Sequence, residues 1–227
     1  MGIVELRGVK KTYQEGKVEV PALRGVNLSV EKGGFLALAG PSGSGKTTLL
    51  NIIGGLDSAD SGSVTVNGND LNAMSQSQLA QLRLQRIGFV FQAYNLIPVL
   101  SAAENVEYVM LLQGVPQQER RSKAQDILDE VGLSGLSDRR PGELSGGQQQ
   151  RVAVARAIVS NPAIVLADEP TANLDSDTGR GLLEMMKSMN EKREVTFIFS
   201  THDTMVMEFA RRLVLIRDGL VDDDRVK

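Results

Sequence analysis

The chain is organised around residues 40–47, which read Gly40-Pro41-Ser42-Gly43-Ser44-Gly45-Lys46-Thr47 and fit the pattern G-x-x-x-x-G-K-[ST]. Before this stretch, residues 35–39 form a continuous apolar run, which predicts a strand buried on both faces. After it, residues 47–53 predict a helix that ends at Gly54-Gly55. A glycine-rich loop between a buried strand and a helix is the context that this pattern requires, so the sequence predicts a phosphate-binding site.

The residue types in this loop suit a nucleoside triphosphate. Glycines allow the backbone to curl until successive N–H groups point inward at phosphate oxygens. The helix that begins there adds the positive end of its dipole. We expect Lys46 to reach the β- and γ-phosphates and the Thr47 hydroxyl to bind Mg²⁺. The alternative, a glycine-rich turn without a ligand, is disfavoured by the strand-loop-helix context.

A second candidate element is an apolar run, Ile164-Val165-Leu166-Ala167, that ends in the carboxylates Asp168 and Glu169. At the carboxyl end of a parallel strand, such side chains project into the ligand crevice. We expect Asp168 to hold Mg²⁺, directly or through water, and Glu169 to polarise an attacking water as a general base. Alternatively, the acidic residues only cap the next helix.

His202 is the only histidine, and it follows a strand predicted over residues 195–200. A lone histidine is more often structural than functional. In this position, however, its imidazole is able to donate a hydrogen bond to a γ-phosphate oxygen or to the attacking water. Both roles are compatible with the sequence.

Residues 144–148 read Leu144-Ser145-Gly146-Gly147-Gln148 and precede a helix predicted over residues 149–159. Ser145 is a favourable N-cap, and the glycines permit close backbone approach, so this is a second helix N-terminus suited to an anion. A merely well-capped helix is the alternative. The whole helical middle of the chain separates this segment from residues 40–47, so one ATP is not expected to touch both within one chain.

The order of elements predicts an α/β fold. Short strands are predicted in the N-terminal part, where residues 26–30 and 64–66 alternate apolar with polar side chains. The middle is helical, with a helix over residues 117–131 that stops at Gly132. Buried strands return in the last third, followed by a hairpin over residues 213–221. Buried strands that alternate with helices indicate a core with a parallel sheet, from which the helical middle is an excursion.

Composition limits the classes of function. The 227 residues are 41% hydrophobic and 23% charged with net charge −3, which is typical of a globular protein and lacks the basic excess of nucleic-acid binders. There is no cysteine, so disulfides and thiol chemistry are excluded. No apolar run approaches the roughly 20 residues of a membrane span, and the N-terminus lacks the pattern of a secretory signal. We therefore expect a soluble, cytoplasmic chain that needs another polypeptide for any membrane function.

Together these segments resemble the nucleotide-binding domain of the ABC ATPase family. The resemblance covers essentially the whole chain, and the motifs follow in the usual order and with the usual separations. The matching runs are GPSGSGKT at 40–47, FVFQ at 89–92, LSGGQ at 144–148, LADEPTANLD at 166–175 and STHD at 200–203. The combination of LSGGQ with a phosphate-binding loop is very specific to this family. Tyr13 has the position of the aromatic residue that stacks on adenine in similar proteins.

The resemblance implies the ABC ATPase fold: a P-loop NTPase core with a parallel sheet, an N-terminal antiparallel β subdomain and an inserted α-helical subdomain. Residues 1–227 would form one such domain. Residues 1–92 and 158–227 would make up the nucleotide-binding core with the β subdomain. Residues from about 93 to 157 would make up the helical subdomain with the LSGGQ signature.

The resemblance also implies roles for residues and partners. The cofactors would be ATP and Mg²⁺, with Thr48 among the nucleotide-binding residues and Gln92 as a sensor of Mg²⁺ and of the membrane partner. Two copies would pair head to tail, so that each ATP lies between residues 40–47 of one copy and residues 145–148 of the other. Asp175 would link the two sites across this interface. Lys46, Glu169 and His202 would be the catalytic residues.

At a finer level, residues 86–98 and the spacing around Tyr13 are similar to the branch of lipoprotein-releasing and macrolide-exporter ATPases. In that branch the partner is a permease with few spans and a large extracytoplasmic domain. The resemblance implies that this chain works with such a permease as a separate integral membrane subunit, and a periplasmic adaptor is a further candidate partner. The chain would then sit on the inner face of the membrane. Leu96, Ile97, Val99 and Leu100 are either an apolar patch for the permease or core of the helical lobe.

Two other functions belong to different classes. Similar ATPases regulate membrane scaffolds such as cell-division complexes without transport. Others act without a membrane in DNA repair, chromosome structure or translation, but those usually carry coiled-coil, zinc-binding or duplicated regions. This chain has one ATPase unit, no cysteine and no basic surplus, so this last function is the least compatible with the sequence.

Overall fold

The computed structural model describes residues 2–227, which form two β-sheets with helices packed around them. Four strands near the N-terminus make an antiparallel sheet. Six further strands make a sheet in which five are parallel. The predicted α/β class, with a parallel core and an antiparallel N-terminal sheet, is confirmed.

The elements are numbered in chain order, and short 3₁₀ turns lie at Leu71–Ala73 and Pro141–Glu143. The strands are β1 (Val4–Glu15), β2 (Val18–Val30), β3 (Phe35–Ala39), β4 (Ser61–Val66), β5 (Asn69–Asp70), β6 (Ile87–Val90), β7 (Ile164–Asp168), β8 (Thr196–Thr201), β9 (Arg212–Arg217) and β10 (Leu220–Val226). The helices are α1 (Lys46–Ile53), α2 (Gln76–Arg86), α3 (Ala102–Leu112), α4 (Gln117–Glu130), α5 (Gly146–Ile158), α6 (Ser176–Arg193) and α7 (Thr204–Phe209).

The six-stranded sheet has the order β10-β9-β3-β8-β7-β6, and its central strands β3, β8 and β7 are buried on both faces. In β3, Phe35 and Ala37 belong to the apolar cluster on one face, while Leu36 and Leu38 belong to the cluster on the other. Successive side chains of a strand point to opposite faces, which is why both faces need apolar residues and the run is continuous. Since β3, β7 and β8 are parallel, the segments that follow them meet at one edge of the sheet.

The first two strands are long, so the prediction of short strands is wrong for them, whereas β4, with 6 residues, is short as predicted. Strands β1 and β2 have 12 and 13 residues, and their register shifts between Leu6 and Val9. Gly8 in β1 and Gly25 in β2 have φ values of 60° and 118°, which are accessible mainly to glycine. Such bulges interrupt the alternation of apolar residues, so each strand reads in the sequence as shorter pieces.

Helices α3, α4 and α5 lie between β6 and β7 in the chain, as the helical middle predicts. They share an apolar cluster that contains Val106, Ile127 and Val152. Helix α4 ends at Glu130, and Gly132 follows with φ 77°, which agrees with the predicted stop. None of the helices within residues 2–227 is long and apolar enough to cross a membrane.

Candidate active site

Residues 40–45 connect β3 to α1 through a turn that requires glycine. Gly40 and Gly45 have φ values of 154° and 102°. A Cβ atom at Gly40 would lie 2.1 Å from the Ile216 carbonyl oxygen, and one at Gly45 would lie 2.5 Å from the Ala22 carbonyl oxygen. The loop is therefore held between backbone segments that leave no room for a side chain.

The first turn of α1 is open to an anion. Its N-cap is Gly45, which provides no side-chain hydrogen bond to the N–H groups of that turn. The Ser44 hydroxyl oxygen is buried and has no hydrogen-bond partner among the described residues. Free N–H groups, a buried hydroxyl without a partner and the positive end of a helix together fit a phosphate group.

Lys46 lies in the same loop with only 7% of its surface exposed. Its ammonium donates to the carbonyl oxygens of Gly40, at 2.8 Å, and Pro41, at 2.9 Å. Burial lowers the pKa of Lys46, while the carboxylates of Glu169 and Asp168 act in the opposite direction. An ammonium has three donors, so one remains for a negatively charged oxygen.

Thr47 and Asp168 meet beside the loop. The Thr47 hydroxyl donates to both carboxylate oxygens of Asp168, at 3.2 and 3.4 Å. Within residues 2–227, no group of three or more acidic, histidine or cysteine side chains forms a metal cage. Mg²⁺ is usually held by one or two carboxylates together with waters and substrate phosphates, so this pair of oxygen ligands fits Mg²⁺ bound with a nucleotide.

Glu169 and His202 form the third part of the site. His202 Nδ1 lies 2.6 Å from Glu169 Oε1, and the Thr201 hydroxyl donates to Glu169 Oε2 at 3.1 Å. The His202 side chain is 71% exposed, which excludes a role as a core histidine. Glu169 has φ 46°, a left-handed conformation that is uncommon outside glycine and concentrates at functional sites.

A layer of hydrogen bonds behind this pair was not predicted from the sequence. The Thr171 hydroxyl donates to Asp203 Oδ2 at 2.7 Å, and the Asp203 N–H donates to the Thr201 hydroxyl oxygen at 2.9 Å. These bonds connect the segment after β7 with the segment after β8. The chain positions of Thr171 and Asp203 differ by 32 residues, so no local pattern indicates the contact.

Residues 145–148 do not join this group. The helix predicted over 149–159 begins three residues earlier, because Ser145 and Gln148 form a capping box: the Gln148 N–H donates to Ser145 Oγ at 3.3 Å, and the Ser145 N–H donates to Gln148 Oε1 at 2.9 Å. Gly146 packs against the Tyr94 hydroxyl, and Gly147 packs against the Thr178 methyl group. None of the hydrogen bonds found for residues 145–148 reaches residues 40–47, as expected for two separate surfaces.

The loop after β6 carries the exposed Gln92, whose backbone carbonyl accepts a hydrogen bond from Asn173 Nδ2 at 2.9 Å. Arg156 of α5 donates to the carbonyl oxygens of Tyr94, at 2.8 Å, and Asn95, at 2.6 Å. Both of these residues have positive φ. Arg156 thus holds the loop in an unusual conformation, a role that nothing in the sequence indicates.

The Tyr13 hydroxyl donates to Asp57 Oδ2 at 2.6 Å, close to the last turn of α1. The apolar residues after Gln92 differ in exposure: Leu96 packs against the apolar cluster of the helical region, whereas Val99 is 71% exposed, so a role of Val99 in binding the permease stays a prediction. Stacking of Tyr13 on adenine and Mg²⁺ sensing by Gln92 stay predictions.

A glycine loop that fits a phosphate group, two oxygen ligands that fit Mg²⁺ and a carboxylate beside them, all at one edge of a parallel sheet, are the features of a P-loop ATPase. Comparison with known proteins specifies the family. The family described as ABC transporter matches residues 23–172. The chain belongs to the ABC transporter family. Within that family it is an ATP-binding and ATP-hydrolysing protein.

Two relatives illustrate the similarity. An ABC transporter ATP-binding protein of Thermotoga maritima is 46% identical, over 97% of this chain and 94% of its own length. The macrolide export ATP-binding/permease protein MacB of Syntrophobacter fumaroxidans is 47% identical over 99% of this chain. This chain spans only about a third of the length of that relative, 32%.

Among solved structures, a dimeric, post-hydrolysis form of the ATP-binding cassette MJ0796 bound to ADP and phosphate has 42% identity to this chain. The superposition has a TM-score of 0.91 and covers 98% of both chains. The same gene designation belongs to an ABC transporter ATP-binding protein of Methanocaldococcus jannaschii. The ABC ATPase fold expected from the sequence is thereby confirmed.

Proposed function

We propose that this chain is the motor subunit of an exporter: it dimerises on binding ATP and drives a separate integral membrane permease that exports or extracts a lipoprotein, lipid, peptide or drug. The observation that carries the proposal is the 47% identity, over nearly the whole chain, to the ATPase part of a macrolide export protein. In that relative a permease belongs to the same polypeptide. Here the permease would be a second subunit, and the chain would lie on the cytoplasmic face of the membrane.

The proposed chemistry follows from the positions of the side chains. Residues 40–47 bind the triphosphate through backbone N–H groups and Lys46. Thr47 and Asp168 would hold Mg²⁺, which would supply positive charge to neutralise the phosphates. Glu169 orients a water and accepts its proton, while His202, at 2.6 Å from Glu169, holds this carboxylate and is placed to bond the γ-phosphate.

We propose that the site is completed by a second copy. The N-terminus of α5 offers N–H groups beside Gly146 and Gly147, but none of the hydrogen bonds found for residues 145–148 reaches the phosphate-binding loop of the same chain. Residues 145–148 therefore act on the nucleotide of the partner copy, as the family resemblance implies. Support comes from the dimeric form of the related cassette. Hydrolysis would require both copies.

The permease needs a docking surface, and an apolar cleft between α2 and α3 is the candidate. The cleft has a volume of about 360 Å³, and its lining includes the apolar residues Leu56, Phe89 and Phe91 together with Arg83 and Arg156. Leu56 is 48% exposed. Exposed apolar side chains next to a cleft are typical of a site for a partner.

The first experiment combines turnover with partner capture. Glu169→Gln should lower ATP turnover by about 10²–10⁴-fold, because the base is lost while the binding groups remain. It should also accumulate an ATP-bound dimer. Undiminished turnover would contradict the role of Glu169. The tagged variant, purified with ATP from its own cell membranes, should retain a permease with a large extracytoplasmic domain.

Other partners would change the proposal in defined ways. Division proteins would indicate the regulatory role without transport. A permease with many spans and a solute-binding protein would contradict the exporter assignment. Because the chain has no cysteine, a single Leu56→Cys change gives a unique cross-linking site in the cleft. Leu220→Cys, at an exposed leucine of β10, is the matched control and should not cross-link to the permease.

A further inference from the structure

We propose that Asp57 and Lys11 are positioning residues that hold Tyr13 for the nucleotide base and so raise the affinity for ATP without touching it. The inference rests on the proposed nucleotide site, in which the Tyr13 ring stacks on adenine. It assigns a role to an ion pair that lies outside every motif of the family. Three observations carry it: the hydrogen bonds of the carboxylate, the position of the ammonium and the link to α1.

The Asp57 carboxylate is fixed through both oxygens. Oδ2 accepts from the Tyr13 hydroxyl at 2.6 Å, and Oδ1 accepts from Lys11 Nζ at 2.7 Å. Lys11 also donates to the Ser58 carbonyl oxygen at 2.8 Å. Charge-assisted hydrogen bonds of this length are the strong ones in proteins. Because both oxygens are bound, the carboxylate has a single orientation. Its hydrogen bond to the Tyr13 hydroxyl therefore fixes the position of the phenol ring.

The Lys11 ammonium lies over one face of the Tyr13 ring. Lys11 lies two residues before Tyr13 on β1, and the side chains of both residues bond to the Asp57 carboxylate. Its ammonium is only 5.3 Å from the centroid of the Tyr13 ring, within the range of a cation–π contact. Lys11 is 8% exposed and is therefore itself held in place. One face of the ring is covered by this cation, which directs a stacked base to the other face.

The same contacts tie the ring to the helix that carries the phosphate site. Asp57 follows the end of α1, and its N–H donates to the Asn51 carbonyl oxygen of that helix at 3.3 Å. Burial and the bond to Asp57 raise the pKa of Tyr13, whereas the nearby Thr48 hydroxyl acts in the opposite direction. Thr48 lies in the first turn of α1, beside Thr47. The distance between the base site and the phosphate site is therefore set through one rigid helix.

The ion pair persists at neutral pH. Burial raises the pKa of Asp57, but the bonds from Lys11 and Tyr13 outweigh this effect and hold it below its usual range. Burial lowers the pKa of Lys11, but the bond to Asp57 outweighs it and leaves this pKa raised. Asp57 is therefore a carboxylate, and Lys11 an ammonium, under the conditions in which ATP binds.

The test compares two ligands that differ in the base. Affinities for ATP and for inorganic tripolyphosphate, each with Mg²⁺, are measured by titration calorimetry. Asp57→Asn should weaken ATP binding about three- to tenfold, the cost of ordering one freed side chain on binding, and leave tripolyphosphate unchanged. Tyr13→Phe should give the same loss, and the double variant no further loss, because both changes remove one interaction.

Asp60→Asn is the matched control. Asp60 Oδ1 lies 3.7 Å from the same Lys11 ammonium and Oδ2 accepts from the Thr12 N–H at 2.6 Å, but no bond joins it to Tyr13. This variant should keep the wild-type affinity for ATP. Unchanged ATP affinity in Asp57→Asn, or an equal loss for ATP and tripolyphosphate, would overturn the inference, since the latter result indicates general damage to the loop.

The experiment separates this inference from the proposed function. Tyr13→Ala removes the ring itself. If Tyr13→Ala binds ATP as the wild type does, the base site is wrong and the positioning role falls with it. If Tyr13→Ala loses affinity for ATP alone and Asp57→Asn does not, the base site stands and only the role of Asp57 and Lys11 is overturned.

Discussion

Two helices of this chain begin at glycine-rich turns, and they complete their first turns in opposite ways. The N-cap of α1 is Gly45, which offers no side chain to the first N–H groups. The N-cap of α5 is Ser145, which exchanges two hydrogen bonds with Gln148. The comparison teaches that α1 relies on an external anion, whereas α5 is already satisfied by its own side chains and offers only its remaining donors.

The surroundings of the glycines differ in the same sense. A Cβ atom at Gly45 would meet the Ala22 backbone, but one at Gly147 would meet the Thr178 side chain at 2.4 Å. Backbone neighbours cannot move without displacing a strand, whereas a side chain can change its rotamer. We therefore expect the first helix end to bind a ligand of its own chain in a fixed geometry and the second to adapt to the proposed partner copy.

The sharpest test of the first helix end is Lys46→Ala. It should weaken ATP binding by about 2–5 kcal/mol, because the phosphate charge then lies in the loop without its ammonium. Titration calorimetry with Mg²⁺ measures the effect. Lys123→Ala removes an exposed lysine of α4 and should change nothing. Equal affinities for Lys46→Ala and the wild type would mean that α1 does not hold the triphosphate.

A glycine-to-alanine substitution in each of the two turns should distinguish their roles. Gly45→Ala places a side chain at φ 102° against backbone, so we expect at least about 1–3 kcal/mol of lost stability and loss of ATP binding. Gly147→Ala only requires Thr178 to move, so ATP binding by one copy should persist while turnover falls. Urea unfolding and ATP titration measure both effects. A Gly147→Ala variant that also loses ATP binding would contradict the assignment of ATP binding to the α1 turn and of the partner contact to the α5 turn.

The capping box of α5 allows a controlled comparison within the chain, because α2 begins with the same arrangement of Ser75 and Gln78. Ser145→Ala and Ser75→Ala should each lower the free energy of unfolding by about 1 kcal/mol. Only Ser145→Ala should also lower ATP turnover, because only that cap lies at the proposed contact with the partner copy. Equal turnover in the two variants would leave residues 145–148 with a structural role alone.

The smallest expected effect concerns pH at the other end of α1. The pKa of Asp57 is lowered in the folded chain: burial acts against the shift, and the bonds from Lys11 and Tyr13 outweigh it. Its stabilisation is therefore present above the unfolded pKa, near 4, and is lost as pH falls through the folded value. Asp57→Asn should be less stable than the wild type by at most about 1 kcal/mol at neutral pH.

Urea unfolding at several pH values tests the direction in which the stabilisation by Asp57 changes with pH. The difference between wild type and Asp57→Asn should narrow progressively below about pH 4. A difference that grows under acid conditions would mean that Asp57 has a raised pKa in the folded chain, contrary to the geometry.

The parts of the fold that the sequence predicts are those whose signal is local. Residues 35–53 contain the apolar run, the glycine pattern and the helix in succession, and the structure has β3, the loop and α1 in these places. Residues 164–169 are similar, since an apolar run ends in the acidic pair. In both cases burial on two faces forces a continuous apolar run, which a reader of the sequence recognises directly.

Other features depend on contacts between distant residues. The Tyr13–Asp57 bond joins residues 44 positions apart, and the Thr171–Asp203 bond joins residues 32 apart. The left-handed conformation of Glu169 depends on its N–H bond to the Ser200 carbonyl of the neighbouring strand. Tertiary packing creates these features, so they cannot be predicted from the secondary-structure propensity of the residues or from the periodicity of apolar residues.

Lys46 keeps two of its three ammonium donors on the carbonyl oxygens of Gly40 and Pro41. This arrangement has a kinetic consequence. If Lys46 binds a phosphate as proposed, its ammonium would lose only one partner when the cleaved phosphate departs, because the two carbonyl oxygens remain. We therefore expect product release to leave the loop in its present shape.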